Sequence, residues 1–257
     1  MLRLSSKSIA LIAVFAALYY GLSWLPGIPI VGLGNLTIEL EASFASVLGI
    51  VLGPYLGSFT ALVGTVLAWT LPPSSGSPYG LPFIFAPVIN ALVAGLIYTR
   101  RWKEASVIFA AVIVAFLFTP PAQPLTEYSY LALVALFDKI FALVLIFPTV
   151  IIQREFSTKK TLPLLFFLLA FIGNQADSTL GSVVFATPVV YQGIFGIATL
   201  SEVRFLFMVS PFFYPAIRII QAVIATIVAV PLVRALSATG LAIAKPLEAE
   251  KTEPKRK

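Results

Sequence analysis

The chain has 257 residues, of which 59% are hydrophobic and 11% charged, with a formal net charge of +6 and neither His nor Cys. A soluble domain carries about 25% charged residues and needs them to cover its surface, so this composition excludes a soluble globular fold and points to a polytopic membrane protein. The missing residue types exclude disulfides, thiolate and imidazole metal sites, cysteine nucleophiles and Ser-His-Asp triads, so neither a metal nor a cofactor is expected.

A helix that crosses a bilayer takes about 20 apolar residues. Apolar runs bounded by charge or by Pro and Gly predict eight such spans, in chain order Ser8–Trp24, Leu36–Leu52, Pro54–Leu71, Leu81–Tyr98, Ala105–Thr119, Tyr128–Ile152, Leu162–Ala186 and Phe212–Leu236. Two of these runs, Leu36–Leu52 and Ala105–Thr119, are short for a full crossing, and the first also contains Glu39 and Glu41. The expected fold is an all-α integral membrane bundle in one domain over residues 1–243. Residues 244–257 turn polar and charged, ending Lys255-Arg256-Lys257, and are expected to form a disordered cytoplasmic tail.

Cations test that span count. With a cytoplasmic amino terminus, 14 of the 17 Lys and Arg residues fall on the inner side, among them Arg3, Lys7, Arg100, Arg101, Lys103, Arg154 and the tail. The loops Leu25–Asn35, Pro72–Gly80 and Pro120–Glu127 hold no cation. This is the asymmetry of the positive-inside rule, so both termini are expected in the cytoplasm and the basic charge does not indicate nucleic acid. No GxxxxGK[ST] sequence is present, so uphill transport would draw on an ion gradient or a partner.

Charges inside apolar runs carry the functional signal, because each costs several kcal/mol unless it is paired or faces a cavity. Glu39, Glu41, Asp138, Asp177, Lys139 and Arg218 qualify, and Asn174, Gln175 and Ser178 add donors and acceptors beside Asp177. By the expected topology they converge in depth on one outward-facing zone. Two readings stand side by side: Asp177 neutralises Lys139 or Arg218 to hold helices together, or a subset lines a solute pocket. The apolar, Gly- and Pro-rich loop Leu25–Asn35 is expected to fold over the bundle as a lid. The stretch Tyr191–Ser210 reads as either re-entrant or interfacial. Small residues recur four apart at Ala13, Ala17 and Gly21, and at Gly49, Gly53, Gly57 and Ala61. Such faces let helices approach closely, within the chain or against a partner.

The first hundred residues resemble the substrate-binding S component of energy-coupling factor (ECF) vitamin transporters. The likeness rests on the helix Ala10–Trp24 with its small-residue face, the loop ending Gly34-Asn35-Leu36, the acid-bearing Glu39–Leu52, Leu48–Gly57, and Asn90–Tyr98 before Arg100-Arg101. The resemblance implies a core of six helices that binds a vitamin or related micronutrient from outside. It also implies docking on a coupling membrane protein driven by two ATPase subunits, through an Ala-x-x-x-Ala motif that maps onto Ala13 and Ala17. The expected solute-contacting residues are Asn35, Glu39, Glu41, Asp138, Asn174, Asp177 and Arg218, with no catalytic residue. The excess of intramembrane acids favours a neutral or cationic solute, and the lack of His disfavours the metal-carrying branch. Outside the resemblance, a self-contained ion-coupled carrier using Asp138 or Asp177, or a membrane enzyme or assembly factor, remain as alternative readings.

Overall fold

In the computed structural model, residues 5–30, 33–38, 41–155 and 161–239 are described, the strand residues among them by their backbone alone. Helix α1 spans Ser6–Leu22 and begins where the Ser5 side chain accepts the Ser8 N–H at 3.1 Å, satisfying one of the free amides of the first turn. Its buried residues Ile12, Phe15, Ala16 and Tyr19 recur at helical spacing and form one face. That face packs on α3, Pro54–Thr70, where Gly64 leaves room for the Tyr19 ring.

The second expected span is not a helix over its length. Ile28–Ile30 (β1) and Leu33–Ile38 (β2) pair antiparallel, with Ile28 opposite Ile38 and Pro29 opposite Thr37. A one-turn 3-10 segment, Glu41–Ser43, then leads into α2, Phe44–Leu52. Nine α-helical residues rise about 14 Å, well short of a hydrocarbon core of about 30 Å. The apolar run Leu36–Leu52 is hydrophobic because its helical part is buried on every side, all nine residues of α2 being inaccessible. Apolar content alone does not separate a lipid-facing helix from one enclosed by protein. The expected Leu25–Asn35 loop is therefore partly a hairpin, and Glu41 opens a short turn instead of sitting inside a spanning helix.

Beyond α3 come α4 (Ala86–Tyr98), α5 (Trp102–Leu117), α6 (Leu125–Glu155) and α7 (Leu162–Phe185). These are followed by the single turn α8 (Pro188–Tyr191), then α9 (Leu200–Val209) and α10 (Tyr214–Ala238). Among the described residues, four segments are long and apolar enough to cross a membrane: Leu81–Tyr98, Leu125–Arg154, Leu162–Phe185 and Tyr214–Ala238. Exposed Leu133, Phe137, Phe141, Val144 and Phe147 on α6, with Ile220 and Ile227 on α10, give these helices outward faces suited to acyl chains.

Helix α4 lies at the centre, touching α2, α3, α5 and α7. The glycine series of the sequence packs these helices together: a Cβ on Gly49 would stand 2.1 Å from the Ala91 carbonyl oxygen, and one on Gly95 would stand 2.8 Å from the Gly49 oxygen. Close backbone approach of this kind is what small residues permit in a bilayer, where apolar contact alone drives helices together weakly.

Within the stretch Tyr191–Ser210 lies a short helix packed against the bundle. This helix, α9, starts with a capping box, Thr199 accepting the Glu202 N–H while Glu202 accepts from the Thr199 N–H. It rests on the ends of α5 and α6, with Phe207 edge-on to Phe116 at 5.0 Å. Arg204 donates to the carbonyls of Pro121 and Gln123 at 3.1 and 2.8 Å, and its guanidinium lies 3.3 Å from the centre of the Tyr128 ring. The result is a helix fixed across one end of the bundle.

Candidate functional site

Five elements bring polar side chains into the interior. The 3-10 turn Glu41–Ser43 touches α1, α7 and α10, placing the buried Glu41 on a segment enclosed by the helices that carry the other polar groups. From α4, Asn90 donates its Nδ2 to Asn174 Oδ1 at 2.9 Å and to the Ala42 carbonyl at 3.2 Å. One side chain thus joins α4 to α7 and to the start of α2. The contact is close because residue 173 is glycine: a Cβ there would stand 2.3 Å from Asn90 Oδ1.

On α7, Asn174 and Gln175 are wholly buried and Asp177 nearly so. Asp177 Oδ1 lies 3.6 Å from Arg218 Nη2 on α10, while Arg218 Nη1 donates to Gln221 Oε1 at 2.8 Å one helical turn further on. On α6, Lys139 Nζ lies 2.9 Å from Asp138 Oδ1, and both side chains are buried. Within each pair the opposite charges offset part of the desolvation cost of burying them.

Pairing nevertheless leaves much of the polar surface unused. Asn90 Oδ1, Asn174 Nδ2, both amide atoms of Gln175, Asp177 Oδ2 and Arg218 Nε are shielded from solvent and have no hydrogen-bond partner among the described residues. A buried polar group without a partner costs about 1–3 kcal/mol, so a set of them concentrated in one layer is a feature of function more than of folding. The layer offers both donors and acceptors. It suits a ligand with a mixed hydrogen-bonding edge better than one bearing a single strong charge. Among the described residues, no group of three or more acids, Cys or His is placed to hold a metal ion.

Of the residues singled out by sequence, Glu41, Asp138, Asn174, Asp177 and Arg218 are all buried. Asp177 pairs with Arg218 and not with Lys139, whose nearest acid is Asp138. Asn35 lies on β2 and its side chain is not described; Glu39 falls outside the described residues, as does the 244–257 tail. Gln175, noted in the sequence as a donor and acceptor beside Asp177, joins the site together with Asn90 and Gln221, which the sequence did not single out. Charge was the criterion for the helices, and a lone amide in an apolar helix such as α4 was the available signal for Asn90. Ala13 and Ala17 are exposed on α1 beside exposed Val14 and Leu18, on the face turned away from α3.

A bundle of apolar helices enclosing two ion pairs and a layer of free amides has the construction of a membrane transport subunit, and comparison of the sequence with known proteins agrees. Residues 3–187 match the ECF-type riboflavin transporter, S component, family, and the chain belongs to that family. Asn90, Asp138, Asn174, Gln175 and Asp177 lie within the matched stretch, whereas Arg218 and Gln221 lie beyond it. The chain is also 27% identical over 147 residues to an uncharacterized protein of Methanocaldococcus jannaschii. That match covers 57% of this chain and 48% of the relative, so the chain spans about half the length of the curated protein it matches. No solved structure matches the chain.

Proposed function

We propose that this protein captures a vitamin-type solute, a flavin in the first instance, as the substrate-binding subunit of an ECF importer. The observation that carries the reading is the buried amide layer of Asn90, Asn174 and Gln175, with donors and acceptors left unpaired beside a largely neutralised set of charges. The dione edge of a flavin ring presents alternating carbonyl acceptors and an N–H donor, which is the complement such a layer needs. In a dry, pre-formed site, hydrogen bonds that the protein cannot make for itself select a ligand strongly, because an analogue without them leaves the amides unpaired.

Riboflavin titrated into the purified protein is expected to bind one-to-one without any ion gradient, with quenching of flavin fluorescence as the readout. Gln175→Leu is expected to weaken that binding by about tenfold or more, the equivalent of one lost buried hydrogen bond, while the unfolding temperature is kept. Absence of flavin binding, with a different solute retained in native mass spectrometry, would replace the flavin and keep the capture role. Gradient-driven uptake by the chain alone in proteoliposomes would instead favour a self-contained carrier and overturn the reading.

In the importer we propose, the chain docks on a coupling membrane protein that two ATPase subunits drive, through the α1 face holding Ala13 and Ala17. The exposure of that face supports the role, since intramolecular packing takes the opposite side of the helix. The positive-inside rule would then place both termini in the cytoplasm. Ala13→Leu with Ala17→Leu is expected to abolish uptake by the reconstituted importer and leave solute affinity unchanged. Loss of affinity would contradict docking.

A further inference from the structure

The turn between α4 and α5 holds features that solute capture does not use. The Arg100 N–H donates to the Ile97 carbonyl at 3.0 Å and the Arg101 N–H donates to the Leu96 carbonyl at 2.8 Å. That pair of bonds closes a helix with its penultimate residue in the left-handed region, where glycine is the favoured occupant. Here the occupant is Arg100, with φ at 63°. A cation at the carboxyl end of a helix opposes the helix dipole, and cations at a membrane surface set orientation. Neither effect requires the arginine to stand at the one position where a side chain is disfavoured, since Arg101 and Lys103 follow immediately.

The side chain is also unusual in what it meets. Arg100 Nε is shielded from solvent and has no acceptor among the described residues. Gln153 at the end of α6 reaches the same turn, donating Nε2 to the Tyr98 carbonyl at 2.6 Å, two residues before Arg100, and its Oε1 is buried with no donor among the described residues. The turn therefore offers a cationic donor and a neutral acceptor. The neighbouring Arg101 is already engaged by Glu104 through two nitrogens, and it lies 5.1 Å from the Tyr55 ring. Among residues whose side chains are described, no carboxylate pairs with Arg100, Lys103 or Arg154. Lys103 instead lies 5.9 Å from the ring of Trp102.

We propose that this turn binds a phosphate ester bearing free hydroxyls, with a phosphate oxygen on Arg100 Nε and a hydroxyl donating to Gln153 Oε1. Lys103 and Arg154 add positive charge around the anion. Location favours an anionic lipid headgroup as the source. The segment Leu81–Tyr98 is long enough to span the bilayer, so Arg100 lies just past its end, at headgroup level and beside an interfacial tryptophan.

Full-length protein in phosphatidylcholine nanodiscs, with and without phosphatidylglycerol, tests the site by native mass spectrometry and thermal unfolding. The wild type is expected to retain one phosphatidylglycerol and to unfold at a higher temperature when that lipid is present. Arg100→Gly relieves the left-handed side chain, so it is expected to unfold at an unchanged or higher temperature in pure phosphatidylcholine. The same variant is expected to lose phosphatidylglycerol retention by about tenfold or more, the scale of one charge-assisted hydrogen bond. If millimolar inorganic phosphate reproduces the thermal shift in pure phosphatidylcholine, the same site is confirmed with a soluble phosphate compound as its occupant. Undiminished retention by Arg100→Gly overturns the proposal. So does a lowered unfolding temperature of that variant in pure phosphatidylcholine, which would make the arginine a strut of the fold.

Discussion

Arg218→Leu is expected to destabilise the protein by about 3–5 kcal/mol, because it leaves Asp177 buried without its counter-charge. Arg218 is enclosed between α7 and α10, 3.6 Å from Asp177, and donates to Gln221. The double variant Asp177→Asn with Arg218→Leu removes both charges together, and it is expected to recover most of the loss. Thermal unfolding in detergent, followed by intrinsic fluorescence, reads this order. A double variant no more stable than the single one would show that the pair does not hold α7 to α10. Solute titration of the same proteins separates the two roles left open by sequence. If the pair faces the solute, the refolded double variant stays folded yet binds at least about tenfold more weakly. If the pair is only a structural clamp, affinity returns with stability.

Gly49→Ala is the second large effect, expected near 3 kcal/mol, at the upper end of what overpacking costs. The added methyl would meet the Ala91 carbonyl oxygen at 2.1 Å and its carbon at 2.9 Å, and backbone cannot swing aside as a side chain can. Retreat of α2 from α4 is resisted by α3, where a Cβ on Gly57 would already stand 2.6 Å from the Leu48 carbonyl oxygen and 2.8 Å from the Gly49 Cα. Any shift would also strain the Asn90 bond to Ala42, so solute affinity is expected to fall with stability. Gly21→Ala is the matched control. Nothing lies within 4 Å of a Cβ there, and a change within about 0.5 kcal/mol is expected. Equal effects at the two positions would show that close backbone approach is not what the glycine at 49 provides.

The long spans were legible because a lipid-facing helix must be apolar over its whole length, which leaves a continuous signal in sequence. Leu162–Ala186 was expected and Leu162–Phe185 is found, and Phe212–Leu236 corresponds to Tyr214–Ala238. Leu36–Leu52 misled because enclosure by protein selects the same residue types as enclosure by lipid. What distinguishes them, a strand pair followed by nine helical residues, depends on which neighbours surround the segment. The site was legible in part for a similar reason. A charge in an apolar helix stands out singly, which exposed Asp138, Asp177 and Arg218. An amide such as Asn90 stands out only when its partner Asn174, 84 positions away, is known to lie 2.9 Å from it.

The scarcity of charge therefore established by itself that the protein is a membrane helix bundle, because hydration of a soluble surface and solvation by lipid make opposite demands on composition. The glycine series from Gly49 to Gly57 also marked close helix contacts, whereas Ala13, Ala17 and Gly21 make none within the described residues. Partnership was decided only in three dimensions: Asp177 with Arg218 and not Lys139, α2 as an enclosed half-length helix, α9 as a brace across one end, and Arg100 in a glycine conformation beside Gln153. Each of these depends on distances between segments far apart in the chain. Desolvation makes a buried charge or amide costly wherever it lies, but the position of its neighbour determines whether that cost is met within the protein or left for a ligand to meet.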